Sequence, residues 1–260
     1  MKIIFLNIWG GKVYEPLMAF LHEHASGTDF FCLQEVFDSP HAVVMKGGAR
    51  TDMFKRITNL LSGFAPFYTV AVEKFDGDDK VAFPLSYGNA IFAKKDIKIL
   101  SHGDFFIGGE DWQESETPLN YPHKLHFLRF EKRDVSYVLM NVHGIAFPGS
   151  KRDTLERAAQ SQKIVDFVRE EKGEKILGGD FNLMRATQSI RMIEDAGMRN
   201  LITDFHISRT RNSFSYGQYP ESDRQYFADY VFASSGIRIR NFTVPQLEIS
   251  DHLPLILEIE

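Results

Sequence analysis

Cysteine, long apolar runs and a strong excess of charge are scarce or absent in this sequence. It holds one cysteine in 260 residues, which excludes an internal disulfide, and the place of Cys32 within the apolar run Phe30–Leu33 predicts a small buried side chain. The run Met1–Leu6 is too short for the core of a signal peptide, and no later run has membrane-spanning length. We therefore expect a cytoplasmic protein without a transmembrane segment.

The composition also limits the possible partners. A formal net charge of −5 gives no whole-protein argument for binding a polyanion, although a local basic patch would still allow it. The hydrophobic fraction of 43%, with 23 phenylalanines, is enough for a sizeable core. No repeat, low-complexity tract or linker divides the chain, so we predict a single domain over residues 1–260 that acts as a monomer.

The beginning of the chain has the pattern of a β-α-β unit. Lys2–Ile8 is apolar at odd and even positions, as expected of a strand covered on both faces, and Asp29–Leu33 is a second such run. Between them, Tyr14–His24 has its leucines and phenylalanine at helical spacing. Strands joined by a helix in this way are parallel, so we expect Glu35, close after the second run, at the carboxyl end of a strand.

Alternation and helical spacing predict the remaining elements. Helices are expected over Thr51–Leu61, over Ser150–Glu171 with Ser150 as the N-cap, and over Gln188–Ala196. Strands are expected at Tyr68–Val72, Asn89–Ala93, Ile97–Leu100, Lys124–Phe130, Val135–Val142, the run that ends at Leu177, Ala228–Ala233, Ile237–Val244 and Leu255–Ile259. The segments Ser101–Pro122 and Thr203–Tyr226 have neither pattern and are expected to be irregular.

The stretch Gly178–Asn182 combines two glycines with two short polar side chains, directly after an apolar run. The glycines allow backbone angles or a close approach that other residues resist, and Asp180 and Asn182 then emerge at the carboxyl edge of a strand. The same residues are also good turn formers, because Asp and Asn bond to their own backbone. The stretch alone leaves both interpretations open.

Further polar residues occur where apolar runs stop, and together they favour a site over a series of turns. Any one of them has a simple structural interpretation as a cap, a rim salt bridge or a turn residue. An isolated buried carboxylate is costly, so a set of such residues beside apolar strands must be solvated, paired or bound to metal. The set comprises Asn7, Glu35, His143, Asp180, Asn182, Asp229, Asp251 and His252.

Part of this set has the chemistry of a metal site. Glu35, Asp251 and the amide of Asn7 offer hard oxygen ligands, which suit Mg²⁺ and also Mn²⁺. The sequence has no cysteine cluster and no close histidine pair of the kind that builds a structural zinc site. We therefore predict a Mg²⁺ or Mn²⁺ site with positions open for a phosphate oxygen.

The other members of the set fit the hydrolysis of a phosphate ester by water. His252 can act as the base, with its ring oriented by a carboxylate such as Asp229. Asn182 and His143 can donate hydrogen bonds to the phosphate. Asp180 can position or deprotonate the water, or lie near the metal.

These residues stand in motifs that resemble, in order and over nearly the whole chain, those of the endonuclease/exonuclease/phosphatase superfamily. The motifs are Asn7 after a strand, Leu33-Gln34-Glu35, Asn141-Val142-His143, Gly178-Gly179-Asp180-Phe181-Asn182, Asp229-Tyr230-Val231-Phe232 and Ser250-Asp251-His252-Leu253-Pro254-Leu255. The superfamily includes deoxyribonuclease I, apurinic endonucleases, tyrosyl-DNA phosphodiesterases, neutral sphingomyelinases and inositol polyphosphate 5-phosphatases. The resemblance implies an α/β fold, a four-layer α/β/β/α sandwich of two mixed sheets flanked by helices.

The resemblance also implies roles. It places a divalent ion, usually Mg²⁺, chiefly on Glu35, pairs Asp229 with His252, and makes His143 a transition-state donor. The chain departs from the apurinic endonucleases in two places: no acidic residue stands two positions after Asn7, and His143 replaces their tyrosine, as in the deoxyribonuclease I and sphingomyelinase branches. The branch remains open.

Several functions remain in competition at this point. A metal-dependent phosphodiesterase is expected first, with a DNA or RNA nuclease as the alternative. A nuclease would use Arg209, Arg211 and Tyr216, from the segment that mixes arginines with aromatics, for phosphate contact and base stacking. A lipid or small-molecule phosphoesterase would instead use the aromatic segment Phe105–Tyr121. A binding protein that keeps the fold without turnover is a further hypothesis.

Overall fold

The computed structural model describes residues 1–77, 79–110 and 121–260, and within these it forms two six-stranded sheets. The strands are β1 Lys2–Asn7, β2 Phe30–Asp38, β3 Phe64–Glu73, β4 Ser86–Lys94, β5 Lys98–Gly108, β6 His123–Lys132, β7 Val135–His143, β8 Glu174–Asp180, β9 Met198–Asn200, β10 Asp229–Ser234, β11 Ile239–Thr243 and β12 Leu255–Ile259. The helices are α1 Tyr14–Ala25, α2 Met53–Leu60, α3 Leu155–Glu170, α4 Gln188–Asp195, α5 Leu201–Asp204 and α6 Ser213–Tyr216. None of these helices is long and apolar enough to cross a membrane.

The sheets pack face to face with helices on their outer sides, which confirms the predicted α/β sandwich. The strand orders are β11-β12-β1-β2-β4-β3 and β5-β6-β7-β8-β10-β9. In β1, Ile3 and Phe5 belong to the core between the sheets, whereas Ile4 and Leu6 pack with residues of α1 and α2. A strand that is apolar on both parities is therefore covered on both faces. Cys32 lies fully buried in the central core, as predicted.

Each sheet contains one parallel strand pair near its centre, and the ends of these pairs carry the polar residues. The predicted pairing of β1 with β2 is parallel, with Asn7 beside Gln34. In the other sheet β7 and β8 are parallel, with His143 beside Asp180. Antiparallel β10 places its first residue, Asp229, opposite Asp180. The strand ends therefore meet at one edge of the sandwich.

The prediction that the second strand ends at Glu35 is wrong. β2 continues to Asp38, and its register against β4 shifts between Leu33 and Val36. Leu33 pairs with Ala90 and Val36 with Gly88, so β2 has one residue more than its partner in this interval. Glu35 has a positive φ of 56° at this bulge. A bulge re-aims side chains, and here it leaves Glu35 half-buried within a strand that is otherwise mostly buried.

Other boundaries also differ from the prediction. The N-cap of α3 is Thr154, whose side chain accepts a hydrogen bond from the Arg157 amide, so the helix begins later than a Ser150 cap predicts. Part of the segment expected to be irregular before residue 122 is strand β5, which reaches Gly108 because it pairs with β6. Residues 111–120, including Trp112, lie outside the described part of the chain. The segment after Thr203 contains the short helix α6 and a 3-10 turn over Glu221–Asp223.

Each of the two glycines at the end of β8 is required for a different steric reason. A Cβ on Gly178 would lie 2.7 Å from the ring of Phe5 in the facing sheet, so this position must be glycine for the sheets to approach. Gly179 has a φ of +128°, and a Cβ there would lie 2.2 Å from the Val142 carbonyl oxygen. A side chain at either position would displace the end of β8, which carries Asp180.

Candidate active site

The predicted site residues converge on one cleft at the end of the sandwich. Glu35, His143, Asp180, Asn182, Asp251 and His252 line it, and Asn7 and Asp229 form hydrogen bonds to lining residues. Except for Glu35, all of these side chains are buried. Residues that are far apart in sequence therefore meet, because both parallel strand pairs end, and β10 begins, at the same edge of the sandwich.

Asn7 holds two carboxylates together at the end of β1. Its Nδ2 lies 2.9 Å from Glu35 Oε1 and 3.1 Å from Asp180 Oδ2. Its Oδ1 accepts a hydrogen bond of 3.0 Å from the Trp9 amide. In this arrangement Asn7 positions the two carboxylates through its amide nitrogen, whereas the sequence-based prediction used its oxygen as a metal ligand.

His143 faces the same two carboxylates. Its Nε2 is 3.8 Å from Glu35 Oε1 and 3.9 Å from Asp180 Oδ2. Burial lowers the pKa of His143 in spite of these neighbouring negative charges. A neutral imidazole has one N–H to donate, which suits a hydrogen bond to a ligand oxygen in the cleft.

The chemistry of this group fits a divalent cation. One ligand atom each from Glu35, His143 and Asp180 lie within 4.8 Å of one another. The two carboxylate oxygens converge on the same amide nitrogen, and carboxylates are the preferred ligands of hard cations. Asp251, predicted as a further ligand, lies beside His252, with its Oδ2 3.8 Å from His252 Nε2.

His252 and Asp229 form a buried hydrogen-bonded pair. The Nδ1 atom of His252 is 2.9 Å from both carboxylate oxygens of Asp229, and its Nε2 is 3.7 Å from Asp180 Oδ2. The ring therefore presents Nε2 to the cleft while Asp229 fixes its orientation. Thr210 supports the pair, since its hydroxyl accepts hydrogen bonds of 3.1 Å from the amides of Ala228 and Asp229.

Neighbouring charges determine the protonation states of His252 and Asp180. Burial lowers the pKa of His252, but Asp229, Asp251 and Asp180 outweigh it and raise the pKa to about 9. Burial raises the pKa of Asp180, but His252, Lys151 and His143 outweigh it and lower the pKa to about 2. At neutral pH Asp180 is therefore ionised and His252 beside it is protonated.

Two residues of the site, Lys151 and Ser250, were not predicted from the sequence. Lys151 is buried in the wall of the cleft, and its ammonium donates a hydrogen bond to Asn182 Oδ1. Ser250 donates through its hydroxyl to the Asn7 carbonyl, at 2.7 Å, and so joins the end of β1 to the loop of His252. A lysine in a polar loop gives no sequence signal, whereas Ser250 stood within a recognised motif.

The residues predicted to bind substrate have different environments. Arg211 lines the cleft, with its Nη2 3.5 Å from Asp251 Oδ2. Arg209 is hydrogen-bonded to Gln246 and, at 3.1 Å, to the hydroxyl of Tyr216. Tyr216 is buried and packs edge-on against Tyr226, so its ring face is not free for base stacking.

The comparison with protein families identifies the kind of protein to which this geometry belongs. Residues 4–252 match the Endonuclease/Exonuclease/phosphatase family. The chain belongs to this family. Its members are hydrolases of phosphate esters, and the chain is thus of the phosphoesterase or nuclease kind. None of the curated proteins matches the sequence significantly.

Solved structures show the same fold at low sequence identity. An endonuclease/exonuclease/phosphatase from Beutenbergia cavernae is 19% identical with a TM-score of 0.76, and the match covers 100% of this chain and 71% of that one. A mannosyl-6-phosphatase from Bacteroides thetaiotaomicron is 18% identical with a TM-score of 0.67, covering 100% and 99%. A humanized TDP2 from D. rerio is 14% identical with a TM-score of 0.70, covering 100% and 98%.

Proposed function

We propose that the protein is a phosphodiesterase that depends on Mg²⁺ or Mn²⁺ and uses Asp180 and His252 to activate the attacking water. The observation that carries this proposal is the position of Asp180 between a carboxylate–histidine group and the His252–Asp229 pair. Its Oδ2 is 3.1 Å from Asn7 Nδ2 and 3.7 Å from His252 Nε2. The Asp180 carboxylate can therefore interact with both the metal ion and the attacking water in the same cleft.

Glu35, with Asp180 beside it, would hold the ion, and His143 lies next to both carboxylates. A bound divalent cation supplies positive charge that polarises a phosphoryl oxygen. Asp180, ionised over the neutral range, accepts a hydrogen bond from the attacking water. His252 takes the proton of that water once its own ring is neutral, and Asp229 stabilises the imidazolium that results.

Two donors face the phosphate from the strand ends. Asn182 Nδ2 donates to the Gly144 carbonyl at 2.8 Å, which leaves its second N–H for a phosphate oxygen. His143 has one N–H to offer if its ring is neutral. Fixed donors of this kind stabilise the charge that develops on the phosphoryl oxygens during attack.

A nuclease is the second candidate, and exposed aromatic rings favour it. Phe214 is 45% exposed and Tyr219 is 48% exposed, and both belong to the segment that carries Arg211 into the cleft. Such rings can stack on the bases of a single strand. A nuclease would bind DNA or RNA with a steep dependence on salt.

A substrate panel tests the proposal. Wild-type protein is assayed with a phosphodiester, a phosphomonoester, single-stranded DNA, RNA and sphingomyelin, each with Mg²⁺, with Mn²⁺ and with EDTA. We expect turnover of a phosphodiester that EDTA abolishes. Hydrolysis of nucleic acid with steep salt dependence would select the nuclease, and turnover that persists in EDTA would contradict the metal-dependent mechanism.

A further inference from the structure

The mechanism gives no role to Lys151, a buried cation in the wall of the cleft. Its ammonium has three N–H donors, and among the described residues its one hydrogen-bond acceptor is Asn182 Oδ1. Within the same part of the chain no salt bridge joins it to a carboxylate. Burying a charge without a partner is costly, so the remaining donors of Lys151 need an acceptor in the cleft, and a ligand oxygen can supply one.

The backbone around Lys151 is firmly held, so the position of the ammonium is built into the fold. The fully buried guanidinium of Arg157 donates hydrogen bonds of 2.7 to 3.2 Å to the carbonyls of Ile145, Ala146, Pro148 and Arg152. The Lys151 carbonyl itself accepts a hydrogen bond of 2.7 Å from the Met184 amide. Lys151 is thus fixed on both sides.

A second cation, Arg211, lines the same cleft as Lys151. Its Nη2 is 3.5 Å from Asp251 Oδ2, and its Nε is buried without a hydrogen-bond partner within the described residues. Burial and then the charge of Arg211 lower the pKa of Lys151 to about 8, in spite of Asp180 and Asp229. Both cations line the same cleft, and an anion bound there would offset their mutual repulsion.

We propose that Lys151 binds a non-bridging oxygen of the phosphoryl group in the cleft, with Arg211 beside it. The identity of this anion as part of an ester substrate rests on the proposed function, but the contact requires only a phosphoryl oxygen. The hydrogen bond to Asn182 Oδ1 gives Lys151 a second effect. Because it holds the amide oxygen, it keeps the amide nitrogen of Asn182 turned towards Gly144.

The test measures binding of inorganic phosphate by calorimetry in the presence of Mg²⁺. Lys151→Met removes the charge at similar length, Lys151→Arg keeps a charge, and Arg152→Met removes an exposed neighbouring cation as the matched control. Affinity for Mn²⁺ is measured on each variant, and thermal unfolding checks that each is folded. A charge-assisted hydrogen bond predicts that Lys151→Met weakens phosphate binding by about 10- to 100-fold, with Mn²⁺ affinity unchanged.

Each outcome decides the inference. Arg152→Met should bind phosphate like wild type, and Lys151→Arg should lose less affinity than Lys151→Met. Phosphate affinity of Lys151→Met within a factor of about two of wild type would overturn it, as would a wild-type protein that binds no phosphate at millimolar concentration. If Lys151→Met does not fold, a Lys151→Arg variant that is folded but binds no phosphate overturns it too.

Phosphate binding and ester hydrolysis, measured on the same variants, separate this inference from the proposed function. A wild-type protein that binds phosphate through Lys151 but hydrolyses no ester would contradict the proposed function and leave the phosphate contact in place. If wild type and Lys151→Met hydrolyse a phosphodiester with the same kcat/KM, the proposed function stays in place and the role of Lys151 is contradicted.

Discussion

Asp229 places both of its carboxylate oxygens 2.9 Å from Nδ1 of His252, and both side chains are buried. An imidazole held in this way keeps its second nitrogen, Nε2, directed at Asp180. The carboxylate does two things at once: it orients the ring, and it stabilises the protonated form. In the proposed mechanism the first effect favours catalysis, whereas the second means that His252 can act as a base only after the ring has lost its proton.

The pKa of His252 should fall when Asp229 loses its charge. Asp229 is the largest of the charges that raise the pKa of His252 to about 9, so Asp229→Asn should lower this pKa by at least about one unit. NMR titration of the ring protons of His252 in metal-free protein measures the shift. Asp96→Asn, a change at an exposed carboxylate, is the control. An unchanged titration in Asp229→Asn would contradict the role given to this pair.

The rate of hydrolysis should rise with pH. A base must be neutral to accept a proton, so kcat/KM should increase with rising pH until His252 has lost its proton, and then become level. Burial raises the pKa of Asp229 to about 6, so its ionisation contributes to the lower part of this limb, whereas Asp180, with a pKa lowered to about 2, is already ionised across the range. Measurement of kcat/KM from pH 5 to pH 10 checks the limb, and a profile that is level across this range would exclude His252 as the base.

Removal of the Asn7 amide should weaken metal binding. Asn7 Nδ2 hydrogen-bonds Glu35 and Asp180, and partners that orient metal ligands are typically worth about 10- to 100-fold in affinity. We expect Asn7→Ala to lower Mn²⁺ affinity by about 10-fold or more. Asn241→Ala, on the exposed side of β11, should leave it unchanged. Equal Mn²⁺ affinity in wild type and Asn7→Ala would show that the carboxylates do not depend on Asn7.

The close approach of Gly178 to Phe5 leaves no room for a side chain at position 178, so a larger residue there should lower the free energy of unfolding. Gly178→Ala would put a methyl group 2.7 Å from the Phe5 ring, and overpacking of a core costs roughly 1–3 kcal/mol of unfolding free energy. Gly63→Ala, where nothing lies within 4 Å, is the control and should change stability little. Denaturant unfolding measures both. Addition of Phe5→Leu to Gly178→Ala should cost less than the two single changes predict together, and strict additivity would contradict this contact.

An ion pair far from the cleft predicts how stability changes in acid. Burial raises the pKa of Asp29, but hydrogen bonds from Lys132 and, at 2.8 Å, from the Lys2 amide outweigh it and hold the pKa below its usual value. A depressed folded pKa adds stability above the unfolded value of about 3.9, and that stability disappears as pH falls through the folded pKa. The stability difference between wild type and Asp29→Asn should therefore be constant from pH 5 to 7 and shrink below about pH 4. A difference that grows in acid would reverse this sign.

The resemblance of the motifs to a known family predicts the sandwich, whereas patterns within single segments predict the strands whose polar ends meet. β1 shows its burial on both faces by its own composition, and Asp180 follows an apolar run that stops at a glycine pair. The site followed from combining many such ends, since parallel strands bring their carboxyl ends to the same edge.

The features that escaped prediction depend on partners elsewhere in the fold. The bulge at Glu35 exists because β4 has one residue fewer than β2 between two paired positions, and the sequence of β2 does not contain that count. Lys151 is buried because the loop before α3 is held in place by hydrogen bonds from the Arg157 guanidinium to the carbonyls of Ala146 and Pro148. Tyr216 looked like a stacking residue in a polar loop, but the ring is covered by Tyr226.

The most direct test of the central claim compares wild type with Asp180→Ala and His252→Ala. The measurement is kcat/KM for the best phosphodiester of the panel with Mg²⁺ or Mn²⁺, on folded proteins, with Arg152→Met as the matched surface control. Loss of a general base or of a water-orienting carboxylate costs about 10²- to 10⁴-fold, so both variants should fall by at least about 10²-fold while the control is unchanged. Equal and metal-independent rates for wild type and both variants would contradict the account.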